Sequence, residues 1–541
     1  SAFRDAVITT FDQAIQGRLP GVDIVANSGD PGAGMSIRIR GTATINGGTN
    51  PLIVLDGVPF ETTIPNDFNF ATADNTQYAD LLAIAPSDIK DISILKDAAA
   101  TAVWGSRAAN GVLVINTKRG VKGPPTISYT FKGTATEQPG FVPLLTGDQY
   151  SSFIPEMVMN ATGLPLNTQT VKEFAYNPNN PYYYANYSNN TDWVKATSRA
   201  GTVYDNNLSI SGGGDKARYF GSVGYNDQKG TTIQTGLTRL NTRLNLDYIV
   251  SDKIHFTTYV SYAHSDTQNP YTTSLRSEAF TKMPNSSIYE YNELGQLTPN
   301  YFSPASNIQG QYPGPYNPVA LANTSSSHTL DDRIIPHFNV TYLITSSLSL
   351  TSDVNFDINN SKNNQFLPQI ATGRPFTDAT VNSSGVNDFD YYSVTTKTNL
   401  IYTPDLGERN SFQGLLSLQS SDNKTVTQNE NTSNTASSYL QDPSSPGRIN
   451  SSSSGVSSST GQTRSVAALL NGQYKYLDRY IINLALRLDG DSRFGPSNRY
   501  GLFPSVSARY RLSGEPFMQK FSGWLDDFSF RGSIGVSGNP P

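Results

Sequence analysis

"LNTRLNLDYIVSDKIHFTTYVSY", residues 240–262, alternates with period two and then turns back on itself. Leu240, Leu244, Leu246 and Tyr248 share one face of an extended strand, and Asn241, Arg243, Asn245 and Asp247 share the other, because successive strand side chains point to opposite faces. After the tight Ser251-Asp252-Lys253, the residues Ile254, Phe256, Val260 and Tyr262 repeat the apolar row, which predicts a β-hairpin. About thirteen such strands can be marked from residue 125 onward. The others lie near 127–136, 203–211, 217–227, 337–344, 348–358, 394–402, 412–420, 465–475, 480–490, 502–512 and 528–537.

The connections say what kind of sheet this is. Mostly short turns (212–216, 251–253, 345–347, 403–411, 476–479) alternate with mostly long polar stretches (about 137–202, 266–336, 359–393 and 421–464). Short at one end and long at the other is the asymmetry of an outer-membrane barrel, with turns at the periplasm and loops outside. Three connections fit less well: 228–237 and 491–501 are modest for outer loops, and 513–527 is long for a periplasmic turn. A soluble sandwich or propeller also alternates. Strands of about 9–11 residues favour a tilted bilayer crossing over the roughly 5–6 of soluble sheets. Tyr248, Tyr262, Tyr402, Tyr476 and Tyr510 near strand ends suit interfacial girdles, although core packing would also place aromatics there. Thirteen is odd, bacterial barrels are even, and an open edge in lipid leaves backbone groups unpaired, so later strands are expected beyond this sequence.

Composition narrows the function classes. Charged residues make up 15% of 541, there are 30 Tyr, 25 Phe and 44 Gly, and mean hydropathy is −0.39. No apolar run reaches the roughly 18–20 residues of a spanning helix, and "SAFRDAVITT" lacks the pattern of a signal peptide. Zero Cys excludes disulfides and thiolate chemistry, and four His (255, 264, 328, 337) leave little for His-based catalysis. A net charge of −5 argues against nucleic acid, which requires a concentrated basic face.

Residues 1 to about 123 read differently, as mixed α/β. Phe3, Val7, Phe11, Ala14 and Ile15 have helical spacing before Gly17. The runs "VDIVA", "SIRIRG", "PLIVLDGV", "DISILKD" and "GVLVINTK" are strand-like, and "DAAATAVWGSRAANG" suits a short helix closing near Gly105.

Two stretches of this segment, "GVDIVANSGDPGAGMSIRIRGTATINGGTNPLIVLDGVPFE" (21–61) and "IKDISILKDAAATAVWGSRAANGVLVINTKRG" (89–120), carry a resemblance. They resemble the plug domain of SusC/RagA-type TonB-dependent outer-membrane transporters of Bacteroidota. "NLALRLDGDSRFGPSNRYGLFPSVSARYRLSGEPFM" (483–518) and "FSFRGSIGVSGN" (528–539) are similar to barrel strands of the same family. The resemblance implies an α+β plug domain, residues 1–123, inside a transmembrane antiparallel β-barrel whose first part is residues 124–541. In the family that barrel has about 22 strands. It implies TonB-dependent import of an oligosaccharide or oligopeptide, a SusD-like surface lipoprotein as lid, and a TonB–ExbB–ExbD complex pulling on the N-terminal side. Outer-membrane lipid would surround the barrel, and neither a catalytic residue nor a cofactor is implied. A SusC-like scaffold of an assembly or secretion complex and a passive porin are the alternatives. The signal peptide, extension and TonB box that precede the plug in this family are not seen, and Trp104 stands where Tyr is common.

A wide barrel is an open hole unless a folded domain fills it, and a plug that must move is better held by polar contacts, which water can replace. Arg38, Arg40, Asp56, Lys96, Asp97 and Arg107 are the candidates for plug–barrel contacts. Structural roles stand beside this one: Asp56-Gly57 as a turn, Lys96-Asp97 as a helix start, Arg107 as a solvated charge. Gly41, Gly57, Gly105 and Gly111 are assigned to tight backbone geometry.

Other motifs carry less. "LDGDSRFG" sets Asp489 and Asp491 before Gly495 but lacks the oxygen spacing of an EF-hand; calcium in such a surface loop is the only metal expectation. "SISGGG" and "SSSSGVSSSTGQ" lack a Walker lysine and read as turn and flexible loop. Asp331-Asp332 and Asp526-Asp527 are adjacent carboxylates, not a pair flanking a cleft. The decisive expectation is geometric: one row of each strand faces hydrocarbon while its neighbours face a lumen filled by residues 1–123.

Overall fold

The computed structural model describes residues 22–26, 31, 35–39, 51–60, 85–95, 111–138, 140, 143–166, 172–174, 177–269, 271, 275–303, 316–374, 378–445, 455–521, 523–525 and 527–536. Among its described residues the leading segment holds six strands: β1 (Val22–Ala26), β2 (Met35–Ile39), β3 (Leu52–Leu55), β4 (Val58–Phe60), β5 (Ile89–Leu95) and β6 (Val112–Thr117). β1 and β2 form an antiparallel pair, and the other four form a sheet in the order β4-β3-β6-β5, with β3 and β6 parallel. A parallel central pair is covered on both faces, so its strands read as unbroken apolar runs, "LIVL" and "VLVI". Val54, Val112, Leu113 and Ile115 are accordingly fully buried.

The large sheet starts at β7 (Gly123–Thr136) and continues through β8 (Gly201–Gly213), β9 (Ala217–Lys229), β10 (Gly236–Ile249) and β11 (Ile254–Asn269). A small ribbon, β12 (Tyr289–Tyr291) with β13 (Leu297–Tyr301), interrupts it. It resumes with β14 (Ser326–Leu343), β15 (Leu348–Leu367), β16 (Ser383–Tyr402) and β17 (Asn410–Thr432). β18 (Gly455–Tyr476), β19 (Tyr480–Asp491), β20 (Tyr500–Arg511) and β21 (Ser529–Gly535) complete it. Among the described residues these are 13 strands, each antiparallel to its sequence neighbour in the sheet, with β7 and β21 as unpaired edges of an incomplete barrel.

The thirteen expected strands all appear, in order, but several run further than the apolar pattern, among them β14 to β18. β14 begins at Ser326 instead of 337, β15 ends at Leu367 instead of 358, and β16 begins at Ser383 instead of 394. β17 reaches Thr432 and β18 starts at Gly455. A ladder is made by backbone groups, so it persists above the bilayer where no apolar row is needed to reveal it.

The faces sort as the hairpin predicts. Leu244, Leu470 and Leu484 are 57%, 59% and 55% exposed, whereas inward Arg243 and Leu469 are 6% and 4% exposed. From β10 to β21 the outward row falls on even numbers and the inward row on odd ones, as the cross-strand partners Arg243↔Ser261, Leu470↔Leu486 and Leu484↔Val506 show. Aromatics band the turn end, where Tyr480 stacks on Tyr510 with centroids 5.0 Å apart.

At the opposite end the long connections are not simple polar loops. They carry α1 (Gly147–Thr162), α2 (Pro181–Tyr187), α3 (Trp193–Ala196), α4 (Leu275–Thr281), α5 (Pro318–Thr324) and α6 (Gln369–Thr372). Leu275, Leu321, Ala322, Leu367 and Ala371 form one apolar core, and Trp193, Val194, Ala279 and Val319 another. Asn317 joins their edges: its Oδ1 caps α5 by accepting from Val319 N and Ala320 N, both 3.1 Å away. Its Nδ2 donates to Ile288 O at 2.8 Å and Phe302 O at 3.0 Å. Three connections thus fold into one cap, which short apolar pieces spread over nearly two hundred residues of sequence do not disclose.

Candidate functional site at the seam between the small sheet and the wall

Asp56 and Gly57 link β3 to β4 with φ of 49° and 90°, a left-handed turn that glycine accepts without strain. The turn aims the Asp56 carboxylate out of the small sheet. Its Oδ1 accepts from Thr117 N at 2.9 Å, and its Oδ2 accepts from Thr117 Oγ1 at 2.7 Å and from Arg243 Nη2 at 2.5 Å. The two charged side chains are 3% and 4% exposed, so this is a buried ion pair between the leading segment and the wall.

Arg243 is held from several sides. Its Nε donates to Asn245 Oδ1 at 3.1 Å, and its guanidinium lies 4.8 Å from the centre of the Tyr259 ring. Asn245 in turn donates to Lys118 O at 2.6 Å. Tyr259 stacks on His337 at 4.5 Å, His337 Nε2 lies 3.1 Å from Asp353 Oδ1, and Asn339 donates to the same oxygen at 2.7 Å. Tyr259 and Ile335 of the wall also belong to one apolar cluster with Ile53, Leu55, Leu113 and Ile115 of the small sheet. The seam is therefore mixed, an ion pair set beside an apolar contact.

A second contact lies at residues 86–88. Ser87 Oγ donates to Asn207 Oδ1 at 3.0 Å, and Ser222 Oγ donates to Asp88 Oδ2 at 2.8 Å. Burial pushes the Asp88 carboxyl above the usual range, while the Ser222 hydrogen bond and the charges of Arg243 and Lys118 pull it back. Arg119, at 3.5 Å from Asp247, adds a half-exposed contact where the chain passes from β6 to β7.

Of the six candidates, Asp56 alone is placed with its side chain. Arg38 pairs with Asp23 across β1 and β2, its side chain lying outside the described residues. Arg40, Lys96, Asp97 and Arg107 lie outside the described residues, as do the two expected helices, Gly41 and Gly105. Gly111, with φ of 94°, sits where a Cβ would meet Ile39 Cδ1 at 2.9 Å, the tight geometry assigned to it. Sequence reasoning missed Arg243, Thr117, Asp88, Ser222 and Tyr259. The signal for Arg243 was available: a guanidinium in the inward row of a membrane strand faces the lumen, where whatever fills it can supply a counter-charge. Among the described residues no cluster of three metal-ligating side chains occurs. Asp489 and Asp491, the calcium candidates, accept from Arg487 and Arg493, each at 2.7 Å.

Residues 2–112 match the model of the TonB-dependent Receptor Plug Domain. The chain is 28% identical to TonB-dependent receptor P26 of Formosa agariphila over 98% of this chain and 50% of that protein. With TonB-dependent receptor SusC of Bacteroides thetaiotaomicron it shares 25% identity over 98% of this chain and 50% of that protein. Along nearly its whole length the chain is similar to the SusC/RagA-type TonB-dependent receptors. It spans about half the length of the curated relatives it matches. Among solved structures, the RagAB peptide importer in its closed-closed state superposes with a TM-score of 0.79 at 21% identity, over 100% of this chain and 59% of that one. That likeness is one of fold. With these relatives and its 13-stranded sheet, this is an outer-membrane β-barrel protein. No described helix is long and apolar enough to cross a membrane.

Proposed function

We propose that residues 1–123 act as a movable plug seated in a barrel begun by residues 124–541, and that the receptor imports a large nutrient at the expense of TonB-transmitted energy. The observation that carries this reading is the buried Asp56–Arg243 pair, which ties the small sheet to the wall through groups that water can replace once they part. In this reading the TonB–ExbB–ExbD complex pulls the leading segment from the periplasm, the contacts of Asp56 and Asp88 give way, and the solute passes along the inward rows. A SusD-like lipoprotein covers the cap end, and the solute is an oligosaccharide or oligopeptide. Arg38, Arg40, Lys96, Asp97 and Arg107 belong to the same set of plug contacts. A neighbour in fold is described as a peptide importer; at 21% identity this bears on the fold and leaves the solute of this chain to be argued separately.

The test uses the organism that makes the receptor. Strains lacking the receptor, or lacking TonB, are grown on defined oligosaccharides and oligopeptides as sole carbon source, and the receptor is purified in detergent with its bound subunits. The reading expects a growth defect on the same solute in both strains and a co-purifying surface lipoprotein. Uptake that survives loss of TonB identifies a passive pore instead. Co-purification with assembly proteins and no growth defect on any solute identifies a scaffold.

A further inference from the structure

Beyond the aromatic band marked by Tyr262 and Tyr392, strands β15 to β18 rise between the seam and the cap with unbroken register. Every inward position in this region lacks charge: 359–365 on β15, 385–391 on β16, 423–431 on β17 and 455–463 on β18, taking alternate residues. Asn359, Asn363, Asn423 and Asn429 supply amides there, Phe389 and Tyr391 supply rings, and the remainder are Asn, Gln, Ser, Thr or Gly. The outward positions of the same strands carry the charges, including Lys362, Asp388, Asp390, Lys424 and Glu430. Composition does not cause this split, since the two rows alternate residue by residue.

The side chains of the inward row already form hydrogen-bonding arrays. Asn363 Nδ2 donates to Thr329 Oγ1 at 2.7 Å, Ser393 Oγ donates to Asn423 Oδ1 at 2.6 Å, and Asn387 Nδ2 donates to Asn429 Oδ1. Lower on the wall, charged residues occur but are compensated in place: Arg333 binds Asp357 through two bonds of 2.8 and 2.6 Å, and Arg487 binds Asp489 at 2.7 Å.

The geometry points to an uncharged, polyhydroxylated solute, a neutral oligosaccharide, as the class received by this vestibule. This inference rests on the reading of the protein as an importer and chooses between its two solute classes. Amides and hydroxyls both donate and accept, which matches vicinal sugar hydroxyls, and aromatic faces cover the apolar side of a pyranose. A peptide brings ionised termini and, on average, about a quarter of its side chains charged. Moving those against inward rows of β15 to β18 that supply no counter-charge of their own is unfavourable. Uronic-acid oligosaccharides meet the same obstacle.

Full-length receptor extracted in detergent, with the subunits it carries, is titrated calorimetrically with three probes: neutral hexose oligosaccharides of four to eight units, uronic-acid oligosaccharides of the same length, and a tryptic peptide digest. Binding is expected for the neutral probe only. Asn429→Leu and Asn359→Leu should each weaken it by about tenfold, the loss of one well-made polar contact. The outward Lys424→Gln should leave it unchanged. Binding of the peptides or uronic acids at equal or higher affinity, or no binding of the neutral probe, overturns the inference. Uptake of a bound neutral oligosaccharide in a strain without TonB would sink the energised-import reading while leaving this one standing.

Discussion

Truncating Asp56 removes the counter-charge of a guanidinium that is itself 4% exposed. Breaking one side of such a buried pair costs about 3–5 kcal/mol, because the remaining charge is left uncompensated. Asp56→Ala in the full-length receptor should therefore speed amide exchange of β6 by the corresponding factor, while the outer strands keep theirs. Replacing both partners, Asp56→Leu with Arg243→Leu, should recover most of that loss, since the pair is then exchanged for apolar groups beside Tyr259 and Ile335. Equal exchange in the single and double variants would show that the pair does not hold the sheet. A second residue prediction concerns the cap. Glu173 is 4% exposed beside Tyr187, and burial raises its carboxyl above the ordinary 4.5, opposed by a hydrogen bond from its own backbone. A folded value above the unfolded one means the folded cap binds more protons. Its contribution is present at acid pH and is lost as pH rises from 4.5 through the folded value. Amide exchange of α2 and α3, corrected for its intrinsic pH dependence, should thus show a cap that loosens from mildly acid to neutral pH. Glu173→Gln should flatten that dependence, and a wild-type cap with no such trend contradicts the assignment.

At the scale of elements, the turn between β18 and β19 holds two ordinary residues, Leu477 and Asp478, at φ of 56° and 52°. A side chain in the left-handed region costs about 1–2 kcal/mol relative to the right-handed one, and Asn-Gly is the pair that adopts such a hairpin turn readily. Leu477→Asn with Asp478→Gly should stabilise this hairpin by about 1 kcal/mol, read as a higher unfolding midpoint; an unchanged or lower midpoint would mean that Leu477 contributes packing that outweighs the strain. The same hairpin shows why some elements were legible. Where a strand has one apolar face and a short return, as at 240–262, period-two alternation fixes both strand and register. Where the outward row need not be apolar, the pattern is lost: "SSSSGVSSSTGQ" reads as a flexible loop, yet residues 455–462 of it belong to β18, paired Gly455↔Asn431 and onward. That pairing is decided by the neighbouring strand and not by local preference. The seam was half legible for a similar reason. Asp56-Gly57 announces itself as a turn, but its partner Arg243 is 187 residues away, and nothing local connects them. The cap was not legible at all, because its cores are assembled from four-residue and seven-residue helices whose apolar faces make sense only once brought together.

For the whole molecule, the apolar outer surface is what separates a membrane wall from a soluble sheet. Leu484 sits midway along the outward row of β19, between Tyr480 at the turn end and Leu488, and is 55% exposed with Leu470, Leu486 and Val506 around it. On a soluble protein an arginine at such a site would be harmless, since surface substitutions away from special features change stability by about 0.5 kcal/mol or less. In a bilayer the same arginine near the midplane costs about 2–4 kcal/mol, and the cost falls towards the interfaces. Ser507 gives the internal comparison, because it pairs with Asn483 on the inward row of the neighbouring strand, where a polar lumen can solvate a charge. Refolding of the full-length receptor into phospholipid vesicles, followed by heat-modifiable gel mobility across a denaturant series, should therefore show a large loss for Leu484→Arg and a small one for Ser507→Arg. Tyr480→Arg, at the band of tyrosines near the turns, should fall between them. A depth-dependent penalty confined to even-numbered positions places those rows in hydrocarbon. Equal tolerance at Leu484 and Ser507 would require the wall to be a soluble sheet with both faces in water, and the plug would then have no barrel to close.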